Sequence, residues 1–283
     1  MSGAARRRLR ADLSVAQAVR LLTQGELELE GRLRGASNTT LRAFVTLDGV
    51  SARCVYKPVA GERPLWDFPD GTLAAREVAA YLVSETTGWG VVPPTVLRDG
   101  PLGPGACQLW VETSRSTSTN LVGFVLADAL PTGWHAIADA EDDDGTEYLL
   151  AHADDPALAR MALLDVVINN ADRKGGHVLH AHDGSLRGVD HGVTFHVDDK
   201  LRTVLWGFAG RPIPAEDLAV LTALRRSLRG DRASDAVSLR DGLCPLLDAD
   251  EVAATLARLD RLVEAAVFPA PSAGRRSMPW PPV

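Results

Sequence analysis

Two alternating runs, Leu41 to Leu47 and Val50 to Lys57, flank the dipeptide Asp48-Gly49. Asp-Gly between alternating apolar residues is a strong local signal for a tight antiparallel hairpin. The same period extends outward. Leu27, Leu29, Gly31 and Leu33 alternate with charged residues and predict a strand before the hairpin, joined to it by the turn Gly35-Ala36-Ser37-Asn38-Thr39. Val91 to Arg98 and Ala106 to Glu112 predict two more strands around Asp99-Gly100 and a Gly/Pro turn. Ser14 caps a predicted helix to about Gln24, with Val15, Val19 and Leu22 on one face. A loop rich in Gly and Pro spans 58–71, and Thr72 caps a second helix, Leu73 to Thr86, which Gly88 ends. About five strands with one inserted helix make a small α+β lobe.

Beyond it the pattern changes. Thr113 to Asn120 is rich in Ser and Thr and reads as a connector; Asp139 to Gly145 reads as an exposed acidic loop. Asp155-Pro156 opens a helix to about Asn169, with a capping residue followed by Pro at the first helical position. A short hairpin follows, His177 to Ala181 and Leu186 to Asp190 around Asp183-Gly184. Helices at 215–229 and 249–267 complete a mostly helical second lobe, and a Pro-rich tail from Pro269 reads as loose. The expected division is therefore 1–113, 114–268 and the tail 269–283.

Charge and cysteine usage exclude some classes. The net charge is -7, and the one basic cluster, Arg6, Arg7, Arg8 and Arg10, is short and terminal, so no nucleic-acid partner is expected. The longest apolar stretch, Leu121 to Leu130, contains Asp128 and falls far below the ~20 residues of a transmembrane helix. No hydrophobic segment follows the basic N-terminus, so no secretory signal is read. Cys54, Cys107 and Cys244 lack C-x-x-C spacing; a disulfide framework and a zinc site are not expected, and a reducing cytoplasm is.

Of the 30 basic residues, 27 are Arg, and the three Lys are Lys57, Lys174 and Lys200. A lysine in such a chain hints at a site that needs a compact ammonium. Lys57 ends the third predicted strand, and Glu77 lies on the helix after it. A loop after a helix reads Asn170-Ala171-Asp172-Arg173-Lys174-Gly175-Gly176-His177, and a hairpin later comes Val189-Asp190-His191-Gly192. Phosphoryl transfer from ATP needs parts in this order. A cation neutralises phosphate and a helix carboxylate orients it: Lys57 and Glu77. A carboxylate meets the attacking hydroxyl: Asp172. Two ligands hold a divalent metal, one of them five residues after that carboxylate: His177 and Asp190.

At these residues the chain resembles the atypical kinases of the phosphatidylinositol 3- and 4-kinase-like family, and beside them the HipA-type bacterial Ser/Thr kinases. Asp172-Arg173 looks like the lipid-kinase catalytic loop, and Asp190-His191-Gly192 looks like the metal-binding Asp-Phe-Gly. The resemblance covers roughly residues 30–210. It implies a two-lobed protein-kinase-like α+β fold, with a small β-rich N-lobe and a mostly helical C-lobe. It implies that Gly35 to Thr40, with Ser37, Asn38 and Thr39, replaces the glycine-rich phosphate loop. Leu109 to Glu112, with Leu109 and Val111, becomes the hinge that bonds adenine through its backbone. Lys174 takes the place of a lysine that touches the transferred phosphate. ATP with Mg2+ or Mn2+ is the implied cofactor set.

The chain departs from the family at His177, where an Asn is expected, and at Ala171, which removes the usual His-Arg-Asp. Magnesium prefers oxygen ligands and imidazole suits softer divalent ions, so manganese is expected to serve better. Coordination requires a neutral imidazole, so metal-dependent binding is expected to weaken as pH falls toward the histidine range. His177 reads equally as a ligand and as a structural histidine. The acceptor, whether protein, small molecule or lipid, stays open. So do three activities: phosphotransferase, nucleotide-holding pseudokinase and AMP-transferring enzyme.

Overall fold

The computed structural model describes residues 13–33, 35, 37–113, 121–231, 238–272, 274 and 276–283. The basic N-terminal cluster, Ala36 and all of the Ser/Thr-rich connector except Thr113 lie outside the described residues.

Ser14 starts α1 (Val15–Gln24) through a capping box: its hydroxyl accepts from the Gln17 amide, and the Gln17 side chain accepts from the Ser14 amide. The helix buries Ala18, Leu21 and Leu22. It lies against a five-stranded antiparallel sheet built from β1 (Glu26–Arg32), β2 (Leu41–Leu47), β3 (Val50–Pro58), β4 (Thr95–Gly100) and β5 (Gly103–Leu109), in the order β1-β2-β3-β5-β4. Asp48 and Gly49 both take positive φ, 50° and 76°, as a two-residue hairpin of this hand requires. Ala43, Val45, Ala52, Cys54 and Cys107 pack under α1. Alternation along β3 therefore turns Val55 and Lys57 to the opposite face. On that face Ala106 meets Ala74 and Val78 of α2 (Leu73–Thr87). One end of Lys57's strand is thus delivered beside the helix that carries Glu77.

The second region begins with a three-stranded antiparallel sheet of β6 (Val122–Leu126), β7 (Trp134–Glu141) and β8 (Glu147–Ala153), in the order β6-β8-β7. Then come α3 (Pro156–Ile168), the short hairpin β9 (Val178–His180) and β10 (Leu186–Gly188), and the helices α4 (Ala215–Arg229), α5 (Leu239–Leu243) and α6 (Ala249–Ala265). The Asp155 carboxylate caps α3 by accepting from the amides of Ala157 and Leu158. The buried side chains of α3, Leu158, Met161, Leu163, Leu164 and Ile168, form one core with Leu221, Leu224, Leu259 and Leu262 of α4 and α6. Ala79, Ala80 and Val83 of α2 belong to the same core, so α2 is packed by both regions.

Four sequence expectations are corrected. Asp139 to Gly145 is not a plain loop: Asp139 to Glu141 end β7, and the residues after them form the tip of the β7–β8 hairpin, where the Asp142 side chain accepts from the amides of Asp144 and Thr146. The fourth strand starts at Thr95 rather than Val91, because Pro93 and Pro94 have no amide hydrogen to donate. The fifth spans Gly103–Leu109 rather than reaching Glu112. The tail is held rather than loose. Ser277 O accepts from the Thr203 amide and the Trp206 indole, and Pro282 O accepts from the Gly175 amide at 2.8 Å.

Candidate active site

α3 ends at Asn169 in the left-handed conformation, φ 53°, and the chain turns into the loop 170–177. A buried charge sets the shape of that loop. Asp165, in the otherwise apolar last turn of α3, takes Arg173 in a forked pair, with Nε to Oδ2 and Nη2 to Oδ1 both at 2.9 Å, and both side chains are fully buried. Arg173 also donates to the carbonyls of His177 and Val189 and contacts His191 Nε2 at 2.6 Å. Asn170 donates to Asp165 and accepts from the Asp172 amide. One guanidinium thus ties together the loop that carries Asp172, the 3-10 turn that carries His177, and the segment that carries Asp190.

Asp190 sits at φ 61° with its side chain about half exposed. A non-glycine residue rarely takes this conformation, and it aims the carboxylate across to β3. Lys57 Nζ donates to Asp190 Oδ1 at 2.8 Å and to Glu77 Oε1. Glu77 is buried, and its second oxygen accepts from the His191 amide at 3.1 Å. His177 Nε2 lies 3.5 Å from Asp190 Oδ2, on the side away from Lys57's bond. Asp172 Oδ2 lies 3.3 Å from Lys174 Nζ.

The electrostatics follow from burial against pairing. Burial alone would lower the Lys57 pKa, but the charges of Asp190 and Glu77 outweigh it and raise it, so the ammonium is firmly charged. The Lys57 charge in turn holds Asp190 well below the usual carboxylate range. Burial raises the Asp172 carboxyl, partly offset by Lys174. Burial lowers His177 to about 4, so its imidazole is neutral at neutral pH. Its Nδ1 is buried and makes no hydrogen bond within the described residues.

The cleft has two connected halves that share Thr40, Lys57 and Asp190. One, of about 370 Å3, is lined by Leu109, Trp110, Val111 and His177. The other, of about 480 Å3, is lined by Ser37, Asn38, Thr39, Glu77 and Asp172. Every site residue read from the sequence except Lys174 therefore borders one cleft. Several polar groups are already committed. The Leu109 amide donates to Pro94 O, the Thr39 amide to Gly61 O, and Asn38 Oδ1 accepts from the Arg63 amide.

The sequence reading missed the supports: Asp165, Arg173 as a strut, and Arg76, whose buried guanidinium bonds Glu251 of α6 and Thr194 O at 2.6 Å. A single acid in the apolar run Met161 to Ile168 is a signal that could have found Asp165. No helix among the described residues is long and apolar enough to cross a membrane.

No protein-family profile matches the chain. Protein Rv2133c of Mycobacterium tuberculosis is 48% identical over 268 residues, spanning 92% of this chain and 94% of that protein. The Helicobacter pylori proinflammatory kinase CtkA aligns over 87% of this chain and 94% of its own, at 12% identity and a TM-score of 0.46. The structure of hydra Fam20 with sugar aligns over 91% of this chain and 89% of its own, at 16% identity and a TM-score of 0.51. This last likeness is one of fold, and the fold is kinase-like α+β. At 48% identity over almost its whole length, the chain belongs to the family of Protein Rv2133c.

Proposed function

We propose that the chain is an ATP-dependent phosphotransferase of the atypical kinase type, akin to the phosphatidylinositol 3- and 4-kinase-like enzymes, moving the γ-phosphoryl group to a hydroxyl acceptor. The observation that carries this reading is Lys57 held between Glu77 and Asp190 in a cleft that Asp172 and His177 also line. Lys57 offers its charge to phosphate oxygens while Glu77 keeps it in place. Ser37, Asn38 and Thr39 border the phosphate end, and Leu109 to Val111 border the adenine end. Asp172 accepts the acceptor's hydroxyl proton, and its burial makes it a better base than a solvated carboxylate. Lys174, which does not line the cleft, steadies Asp172 through their ion pair.

The donor set fits a divalent ion that shares its shell with nucleotide. No group of three or more His, Cys, Asp or Glu among the described residues has ligand geometry. Asp190 and His177 are thus two protein donors, and magnesium and manganese are commonly bound by one or two protein groups plus phosphates and water. The bound ion supplies positive charge against the phosphates.

A second reading is favoured by one observation. His177 is neutral and buried, and among the described residues its Nδ1 lacks the hydrogen bond that normally orients a metal-bound imidazole. That suits a pseudokinase, which holds nucleotide without turnover. The test is incubation with ATP and Mg2+ or Mn2+, followed by intact-mass analysis and ATP turnover. Phosphate addition or turnover supports the kinase reading. AMP addition assigns the same cleft to nucleotidyl transfer. Nucleotide binding with no turnover across metals and acceptors assigns it to a pseudokinase.

A further inference from the structure

A second cavity, of about 640 Å3, is lined by Val166 and Asn169 at the end of α3 and is larger than either half of the cleft. Its volume is that of an ordinary small-molecule site. Val166, Leu201, Trp206, Leu262, Ala265 and Val267 give it apolar walls. Arg202, Arg258, Arg261 and Arg276 also line it, against Asp198 and Asp199. This excess of positive charge stands out in a chain of net charge -7.

The four guanidinium groups are not equally engaged. Arg258 donates to Val167 O, His196 O and Thr255 Oγ1, so it is structural. Its pKa nevertheless falls to about 10, through burial and then the neighbouring Arg261 charge. Arg261 reaches Asp199 only at 3.4 Å and is mostly exposed. Arg276 is exposed at the rim. Arg202 Nε is buried and has no hydrogen-bond partner among the described residues. A buried, unpaired guanidinium nitrogen is costly unless something anionic meets it.

We infer that this cavity binds a small organic anion, a carboxylate or phosphate monoester with an apolar body. The head meets Arg202 with Arg261 and Arg276, and the body lies on Trp206, Leu262 and Val267. The inference does not rest on the phosphotransferase reading. It does have a consequence for the cleft. The Arg202 amide donates to Asn170 O and its carbonyl accepts from the Arg173 amide, so its backbone brackets Asp172. Arg202 borders both cavities.

The test uses octanoate and octyl phosphate as probes, with 1-octanol and octylammonium as uncharged and charge-reversed controls. Binding to the full chain is measured by calorimetry and located by backbone amide shifts. The expected result is that octanoate or octyl phosphate binds and octanol binds at least about tenfold more weakly, the loss of a charge-assisted contact. Octylammonium should not bind, and the amides of Asn170, Arg173 and Arg202 should shift. Which anion binds tighter identifies the head group. Arg276→Glu, at the exposed rim, should weaken the anion about tenfold without unfolding the chain. Arg202→Met tests the inner contact, with a melting curve to check folding. Equal affinity for octanol and octanoate would mean amphiphile adsorption and overturn the inference. So would indifference to Arg276→Glu, shifts mapping elsewhere, or no binding of either anion at millimolar concentration.

Discussion

At the scale of single residues, the proposed metal site turns on His177. Coordination needs the neutral imidazole, and burial has moved its pKa from the ordinary 6.5 to about 4. The sequence reading put the loss of binding near the ordinary histidine range; burial moves it lower. Metal-dependent nucleotide affinity is predicted to hold from pH 7 to about pH 5 and to fall as pH drops through about 4, measured by titration in manganese. Manganese is predicted to support tighter binding than magnesium, and His177→Asn to move the preference back toward magnesium. An unchanged metal preference in that variant would make His177 a structural residue. Arg173 is the other decisive residue. Asp165→Ala would strand its guanidinium in the core, at a cost of about 3–5 kcal/mol in urea unfolding. A loss below about 1 kcal/mol would mean that the forked pair does not organise the loop.

At the scale of elements, α2 is the part most tightly fixed. Neighbouring residues on it point to different partners: Glu77 to Lys57 and the His191 amide, Arg76 to Thr194 O and Glu251. Thr194 in turn donates to His191 O, so both residues grip the segment that follows Asp190. Arg76 and Glu251 are almost fully buried. Glu251→Ala leaves a buried cation unpaired and should cost about 3–5 kcal/mol, whereas the apolar pair Arg76→Met with Glu251→Leu should recover most of that loss. Urea unfolding of the single and double variants checks both values. The sequence made α2 legible through Thr72, the alanine-rich body and Gly88, because these signals are local. It hid the Arg76–Glu251 pair, because those partners are distant in the chain and a charged residue on a helix usually faces water. β7 was hidden for another reason. Ala136, Ala138 and Ala140 have weak strand propensity, and the pairing with β8 slips between Ala136 and Ala138.

At the scale of the whole molecule, the hairpins of the sheet were readable because their turn signals are local, and Lys57, Asp172 and Asp190, singled out by their order in the chain, border one cleft. The tail was misread because its anchors, Ser277 O and Pro282 O, are backbone groups that no residue type announces. The packing of β8 against the turn at Trp206–Phe208 adds an acid sensitivity. His152 is fully buried, bonds Ala153 O through Nδ1 and accepts from the Gly207 amide at Nε2. Burial lowers its pKa from 6.5 to about 4. The unfolded chain therefore binds the proton first as pH falls. The contribution is complete above about 6.5 and lost as pH falls through about 4, and is worth on the order of 3 kcal/mol. Urea midpoints should drop between pH 7 and pH 5, and His152→Gln should be weaker at pH 7 with a shallower pH slope.

The division of labour in the cleft is tested most directly by calorimetric titration of ATP with manganese into the wild type, Asp190→Ala and Asp172→Ala, with turnover measured on the same samples. Asp190 pairs with Lys57, and in the proposed reading it also holds metal, whereas Asp172 acts on the transfer step. The expected result is ATP binding in the wild type, loss of most of that affinity in Asp190→Ala, and near-normal affinity in Asp172→Ala with turnover reduced at least about a hundredfold. Equal loss of affinity in both variants, or no ATP binding by the wild type in either metal, would remove the kinase assignment from this cleft.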